Sequence, residues 1–147
     1  CLPTATRYDA TMHETFDHTA DLGLRVRAAD LNTLFAEAAA CLFSTMIEDP
    51  ATIRPTESQT VELTGTDREF LLFDWLRELL YRFDADHWVF ADFAVTVRDD
   101  GLSATVRGEQ LDRDRHQLCH EVKAITYHDL KVEPDGDGWL AEVIVDI

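Results

Sequence analysis

Residues 22–46 read LGLRVRAADLNTLFAEAAACLFSTM, and the period of their hydrophobic residues changes once within this stretch. Up to Ala28, apolar and polar residues alternate, which is the pattern of a half-buried β-strand. Asp30 can cap a helix, and apolar residues then recur at helical spacing, at Leu31, Leu34, Phe35, Ala38, Leu42 and Met46. We therefore predict a strand followed by a core-facing amphipathic helix, in a region that Pro50 closes.

A second helix is predicted to begin at Thr66. Thr66 and Glu69 match the capping box, in which a hydroxyl caps the helix and a carboxylate follows three residues later. The polar residues of this segment fall on one narrow stripe, formed by Asp74, Arg77, Glu78 and Arg82. Apolar residues surround that stripe: Phe70, Leu72, Phe73, Trp75, Leu76, Leu79 and Phe83. A helix with so much apolar surface is expected to be largely buried.

The second half of the chain is predicted to be mostly sheet. Alternating residues at 93–97 and 102–106 flank an Asp-Asp-Gly turn at 99–101, which indicates a hairpin. A second hairpin is expected from residues 122–132 and 139–147, joined by a turn at 134–138. Helices early and antiparallel strands late predict an α+β fold, with two main helices packed on one face of a mixed, largely antiparallel β-sheet.

The length of 147 residues fits one domain. We assign it to residues 12–147, because Met12 immediately precedes the first patterned segment, and interpret residues 1–11 as an irregular leader or a non-native extension. No apolar run approaches the roughly 20 residues of a membrane helix. The three cysteines form no CxxC pair, which favours a reducing compartment and a cytoplasmic protein.

The formal charge of −16 opposes direct binding to RNA or to an anionic membrane. A role with nucleic acid would therefore require a protein partner. Alternatively, the acidity is an adaptation to a high-salt cytoplasm, since the excess is rich in Asp and Lys occurs only at Lys123 and Lys131.

Signatures of catalysis are weak in this sequence. It contains neither a phosphate-binding Gly-rich loop nor a nucleophile elbow, and Cys41 lies on the apolar side of the first helix. His116, Cys119 and His120 form a compact cluster, but no second ligand pair accompanies them. We interpret this cluster as a polar loop with exposed imidazoles rather than as a zinc site.

The C-terminal residues are more informative. The side-chain carboxylate of Asp146 and the α-carboxylate of Ile147 are adjacent, at the end of an apolar strand that should hold them in place. Neighbouring carboxylates repel unless a cation or protons neutralise them. Together with a further Asp they could form an all-oxygen site for Ca²⁺, Mg²⁺ or Mn²⁺. The alternative is a solvated terminal Asp.

Three stretches together resemble the archease family: HTADLG at 18–23, LLFDWL at 71–76 and EVKAITYH at 121–128. The final Asp146-Ile147 pair and the Gly-Glu pair at 108–109 also match. The resemblance implies that a divalent metal ion is bound by Asp21, Asp146 and Ile147. It also implies an activity-related role for Lys123, whose alternative role is to protect a sheet edge from aggregation. Glu121 and His18 are then candidates for supporting the metal ligands.

The resemblance further implies a protein cofactor rather than an enzyme. Archeases act on the RtcB-type RNA ligase of tRNA splicing, which uses GTP and Mn²⁺ to guanylylate its own histidine before it joins RNA ends. The expected role is to promote guanylylation and multiple turnover, with RNA contacted only through the ligase. Two alternatives remain, a chaperone or modulator of RNA-modifying enzymes and a metal-dependent phosphoesterase.

Overall fold

The structure is a computed structural model that describes residues 11–18 and 21–147, without the side chain of His18. Its elements are β1 (Met12–His18), β2 (Asp21–Ala28), α1 (Leu31–Met46), a 3₁₀ turn (Pro50–Thr52), β3 (Glu57–Thr64), α2 (Arg68–Asp86), β4 (Trp88–Arg98), β5 (Gly101–Gln110), β6 (Ala124–Ile125), β7 (Lys131–Asp135) and β8 (Gly138–Asp146). The predicted leader lies outside the described residues, apart from Thr11. No helix in the described ranges is long and apolar enough to cross a membrane.

The strands form two sheets. One has the order β1-β2-β8-β6, with β7 also paired to β8, and the other has the order β3-β5-β4. All pairings between the described strands are antiparallel. The predicted α+β class with two main helices is confirmed, whereas the expected single mixed sheet is replaced by two antiparallel ones. Alternating hydrophobicity indicates which face of a strand is buried, but it does not specify the strand's neighbours.

The opening strand and helix form as predicted. Asp30 caps α1, and its side chain accepts a hydrogen bond of 2.8 Å from the backbone N–H of Thr33. The cap of α2 was predicted one residue too early: Asp67, not Thr66, accepts bonds from the backbone N–H groups of Glu69 and Phe70, at 2.9 and 3.2 Å. Asp and Thr are both good caps, so the path of the chain into the helix decides between them.

The core lies between the helices and the two sheets. Trp75 of α2 is fully buried, and its indole N–H donates to the carbonyl of Phe35 in α1 at 2.9 Å. Most of the apolar residues of α2 are buried as predicted, but Phe70 is 54% exposed and Tyr81 is 62% exposed. The apolar surface of α2 is therefore wider than the core that it covers.

A polar cluster fastens the loop that follows β5. The Glu109 carboxylate accepts hydrogen bonds from Arg115, from His116 Nε2 at 2.7 Å and from the backbone N–H of Arg54 at 2.7 Å. The hydrogen bonds from the Arg115 guanidinium, together with those from Arg54 and His116 and against the opposing effect of burial, lower the pKa of Glu109 from 4.5 to about 2. The cluster ties this loop to the segment before β3.

Candidate functional site

Asp21 and Asp146 come together at one end of the larger sheet. They are direct register partners, since Asp21 begins β2 and Asp146 ends β8. Residues opposite each other in an antiparallel pair point to the same face, with Cβ atoms about 4.5–5.5 Å apart. The same register pairs Arg25 with Glu142, whose side chains bond at 2.6 Å (Nε to Oε2). Two carboxylates thus occupy neighbouring positions on one sheet face.

This face is the one that points away from the core. Along β2, Leu22, Leu24 and Val26 are buried, whereas Asp21 is half-buried and alternates with them. Asp146 is exposed. A cation or a partner protein could therefore reach this pair from solvent.

Strand β6 completes the site on its other side. Ala124 is the register partner of Asp146, and the backbone N–H of Lys123 donates to the Asp146 carbonyl at 2.7 Å. Lys123 also lines a depression beside α2, together with Arg77, Tyr81 and Asp84. Backbone pairing therefore places Lys123 next to the acidic pair. Glu121 is exposed two residues before it.

Ile147 follows β8 and is half-buried, with its side chain packed against the core. This packing fixes the residue whose α-carboxylate is the expected third ligand. Within the described ranges, no three side chains of His, Cys, Asp or Glu converge as metal ligands. A metal site at Asp21 and Asp146 would therefore require a donor besides these side chains, and the sequence prediction assigns it to the α-carboxylate of Ile147. Such an all-oxygen donor set is the chemistry that hard divalent cations prefer.

His18 lies at the same end of the larger sheet. Its backbone ends β1 as the register partner of Asp21, which places it next to the acidic pair. Its side chain, together with residues 19 and 20, lies outside the described residues. A supporting role for the His18 imidazole therefore stays a prediction.

The prediction that the loop at 116–120 exposes its imidazoles is wrong for His116, which is completely buried. Its Nε2 donates to Glu109, and its Nδ1 accepts from the backbone N–H of Asp112 at 2.9 Å. Both ring nitrogens are therefore engaged within the protein. Cys119 and His120 are exposed, and their backbone N–H groups bond to carbonyls at the end of α1. The hydrogen-bond partners of His116 are near it in the sequence, but Arg54 joins their cluster from a distant segment, through Glu109, and a local pattern does not indicate that contact.

The Archease protein family (MTH1598/TM1083) matches residues 13–147. This chain belongs to the archease family. A relative, the archease of Methanopyrus kandleri, is 41% identical over 138 residues, covering 91% of this chain and 98% of the relative. The archease of Pyrococcus abyssi is 40% identical over 139 residues, covering 91% and 97%.

Solved archease structures share the fold. The solution structure of Methanobacterium thermoautotrophicum protein 1598 superposes with a TM-score of 0.77 at 34% identity, covering 92% of this chain and 98% of that one. An archease crystal structure from Thermotoga maritima gives a TM-score of 0.64 at 23% identity, covering 91% and 96%. The fold and the family that the sequence motifs suggested are thus confirmed.

One surface feature was missed at the level of sequence. Phe70, Tyr81 and Tyr127 are all more than half exposed, and all three line depressions beside α2. The sequence of α2 did indicate such exposure, because its apolar residues cover more of the helix surface than one buried face requires.

Proposed function

We propose that this archease is an accessory activator of an RtcB-type RNA ligase in tRNA splicing. It would promote guanylylation of the ligase histidine and multiple turnover without being an enzyme itself. Family membership supports the proposal, and the observation that carries it is the register pairing of Asp21 with Asp146 at an exposed sheet end. The two aspartates that the resemblance implies as metal ligands are thereby neighbours on one sheet face.

The proposed site consists of Asp21, Asp146 and the α-carboxylate of Ile147 around a divalent cation, Ca²⁺, Mg²⁺ or Mn²⁺. When bound, such a cation would offset the carboxylate charges and provide a centre for phosphate or carboxylate oxygens of the partner. Asp146 is held by backbone pairing on both sides, to β2 and to β6, so its carboxylate is positioned by rigid strands. Lys123 lies beside it and would meet an anionic group of the ligase or of its substrate.

The charge of the chain supports an indirect relation to RNA. At −16, its surface repels a phosphate backbone, and the candidate site itself is acidic. A protein partner that carries the RNA removes this difficulty. We therefore place the RNA contacts on the ligase.

The test is multiple-turnover ligation by the ligase of the same organism, with GTP and Mn²⁺ and with or without this protein. We expect stimulation by the wild type and none by Asp21→Ala or Asp146→Ala. Asp137→Ala is the matched control, because Asp137 is an exposed Asp in the turn before β8, at the other end of that strand. Equal stimulation by all variants would reject the metal site. Absence of stimulation by the wild type would reject the function.

A chaperone or modulator of RNA-modifying enzymes is the second candidate. The exposed aromatic residues Phe70, Tyr81 and Tyr127 favour it, and the Thermotoga maritima relative is described as a possible chaperone. This function predicts that the protein suppresses aggregation of several unrelated unfolded proteins in the absence of divalent metal. Protection of none of them would eliminate it.

A further inference from the structure

An aromatic groove runs along the exposed side of α2 and meets the loop between β6 and β7. We define the α2 groove by Phe70, Phe73, Arg77, Tyr81, Tyr127 and Leu130. Phe70, Tyr81 and Tyr127 are 54%, 62% and 57% exposed. Clustered exposure of large aromatic residues is typical of protein contact sites, whereas single exposed apolar residues need no explanation.

The walls of the α2 groove are ordered by ring contacts. Tyr127 stacks on Phe73, with centroids 4.0 Å apart, and Phe70 meets Tyr127 edge-on at 5.4 Å. The Arg77 guanidinium lies 5.9 Å from the Phe73 ring. Two of these residues are thus exposed and at the same time held in place, so a partner would lose little side-chain entropy by binding them.

Three cavities follow one another along the helix. A cavity of about 440 Å³ is lined by Glu69, Phe70, Tyr127 and Leu130. Two further cavities, of about 220 and 370 Å³, share Arg77 and Tyr81. The helical positions 70, 74, 77, 81 and 84 fall on one side of α2, which explains the alignment of the three cavities.

Carboxylates dominate the rim of the groove. Glu69, Asp74, Glu78 and Asp84 line these cavities, against the cations Arg77 and Lys123. Partial desolvation, followed by repulsion from Glu121, raises the pKa of Asp84 above its ordinary value. An incoming cation would relieve this repulsion, whereas RNA or a second copy of this acidic chain would increase it.

We propose that the α2 groove docks a basic segment of the ligase, with an apolar side chain of that segment seated between Tyr81 and the Phe73–Tyr127 stack. This inference rests on the proposed function and assigns the partner's contact surface. The groove adjoins the candidate metal site, because Lys123 lines the middle cavity and its backbone N–H bonds to Asp146. A ligase held in the groove would therefore contact the segment that pairs with the end of β8, where Asp146 lies.

The experiment measures the dissociation constant of the ligase complex by isothermal titration calorimetry at low and moderate salt. Tyr81→Ser removes an exposed ring for which no core packing is needed, and Phe70→Ser removes a second one. Leu118→Ser is the matched control, since Leu118 is 40% exposed, bridges Ile47 in the loop after β5 and lines none of the three cavities of the groove. We expect each groove variant to bind roughly 10- to 30-fold more weakly, as for aromatic hot spots, and the control to bind like the wild type. Wild-type affinity should also fall as salt rises.

A second measurement places a photo-crosslinking amino acid at position 81 or at position 118. It does not depend on truncating a side chain to Ser. Crosslinks to the ligase from position 81 alone are expected. If the wild type binds and stimulates the ligase while both groove variants match it, the groove assignment is overturned and the proposed function stands. If the wild type neither binds nor stimulates the ligase, the proposed function is rejected, and the groove assignment that rests on it is rejected as well. Crosslinks from position 81 to RNA or to a second copy of this chain would also overturn the assignment.

Discussion

Replacing Asp146 with Asn should change stability in opposite directions with and without a divalent cation. Asp21 and Asp146 are register partners, so their Cβ atoms lie about 5 Å apart, and we take a similar separation for their charges. Asp146 is exposed, and two unit charges at about 5 Å in a water-like medium repel by about 0.8 kcal/mol. In the presence of a chelator, Asp146→Asn should therefore be more stable than the wild type by about this amount.

A bound cation reverses the order. A ligand at 100 times its dissociation constant stabilises the folded state by about 2.7 kcal/mol, and the variant should lose this gain. The wild type should then be the more stable protein by about 1.9 kcal/mol, the difference between these two contributions. For a chain of this length, 1 kcal/mol corresponds to roughly 2–4 °C in Tm. The expected changes are about 2–3 °C in favour of the variant without metal and about 4–8 °C in favour of the wild type with metal.

Differential scanning calorimetry with EDTA and then with Ca²⁺, Mg²⁺ or Mn²⁺ at 100 times the dissociation constant measures both differences. Asp137→Asn serves as the control, because it removes the same charge at the other end of β8. It should leave the response to metal unchanged. A wild-type Tm that is the same with EDTA as with all three cations would refute the reasoning, and so would an equal metal-dependent increase in Asp146→Asn.

Three further predictions concern stability and reactivity. Glu109→Gln should lower the free energy of unfolding by about 2–4 kcal/mol near neutral pH, because a charged acceptor buried among several donors is lost. Since the pKa of Glu109 is lowered from 4.5 to about 2, its stabilisation is complete above pH 4.5 and is lost as the pH falls towards 2. Urea titrations of both proteins should therefore converge in acid, and a constant difference would contradict this account. Gly108→Ala should be severely destabilising in the same assay, because a Cβ there would collide with a backbone carbonyl of β4, and wild-type stability would contradict this. In a background with Ser in place of Cys1, thiol titration of the native protein should modify Cys119 and spare Cys41, whose burial raises its pKa to about 12; two native thiols would refute the assignment.

Local patterns were sufficient for the elements whose causes are local. The alternation in β2, the Asp30 cap and the spacing of α1 depend on neighbouring residues, and the structure confirms all three. The boundary of α2 was placed one residue away, because Thr66 and Asp67 are both suitable caps. The errors at His116 and Phe70 have another origin. His116 is buried in a cluster that Arg54 joins from a distant segment, and the exposure of Phe70 depends on which segments pack against α2.

The residues of the candidate site were also predictable only in part from the sequence. Adjacent carboxylates at Asp146 and Ile147 are visible in the sequence, and the resemblance to archeases added Asp21. Only the antiparallel register of β2 against β8 brings Asp21 opposite Asp146, and only β6 brings Lys123 beside them. Register depends on which strands pair, which alternation within one strand does not encode.

The sequence by itself determined the α+β class, the strand β2, the helix α1, the family and the acidic residues of the candidate site, because short-range periodicity, capping and charge are properties of consecutive residues; the strand expected at 122–132 was wrong, since only 124–125 and 131–132 of it pair as strands. The tertiary structure alone decided the division into two sheets, the meeting of Asp21 with Asp146, the burial of His116 and the exposure of the α2 groove. Each of these depends on contacts between segments far apart in the chain, whose pairing is selected by the packing of the whole core.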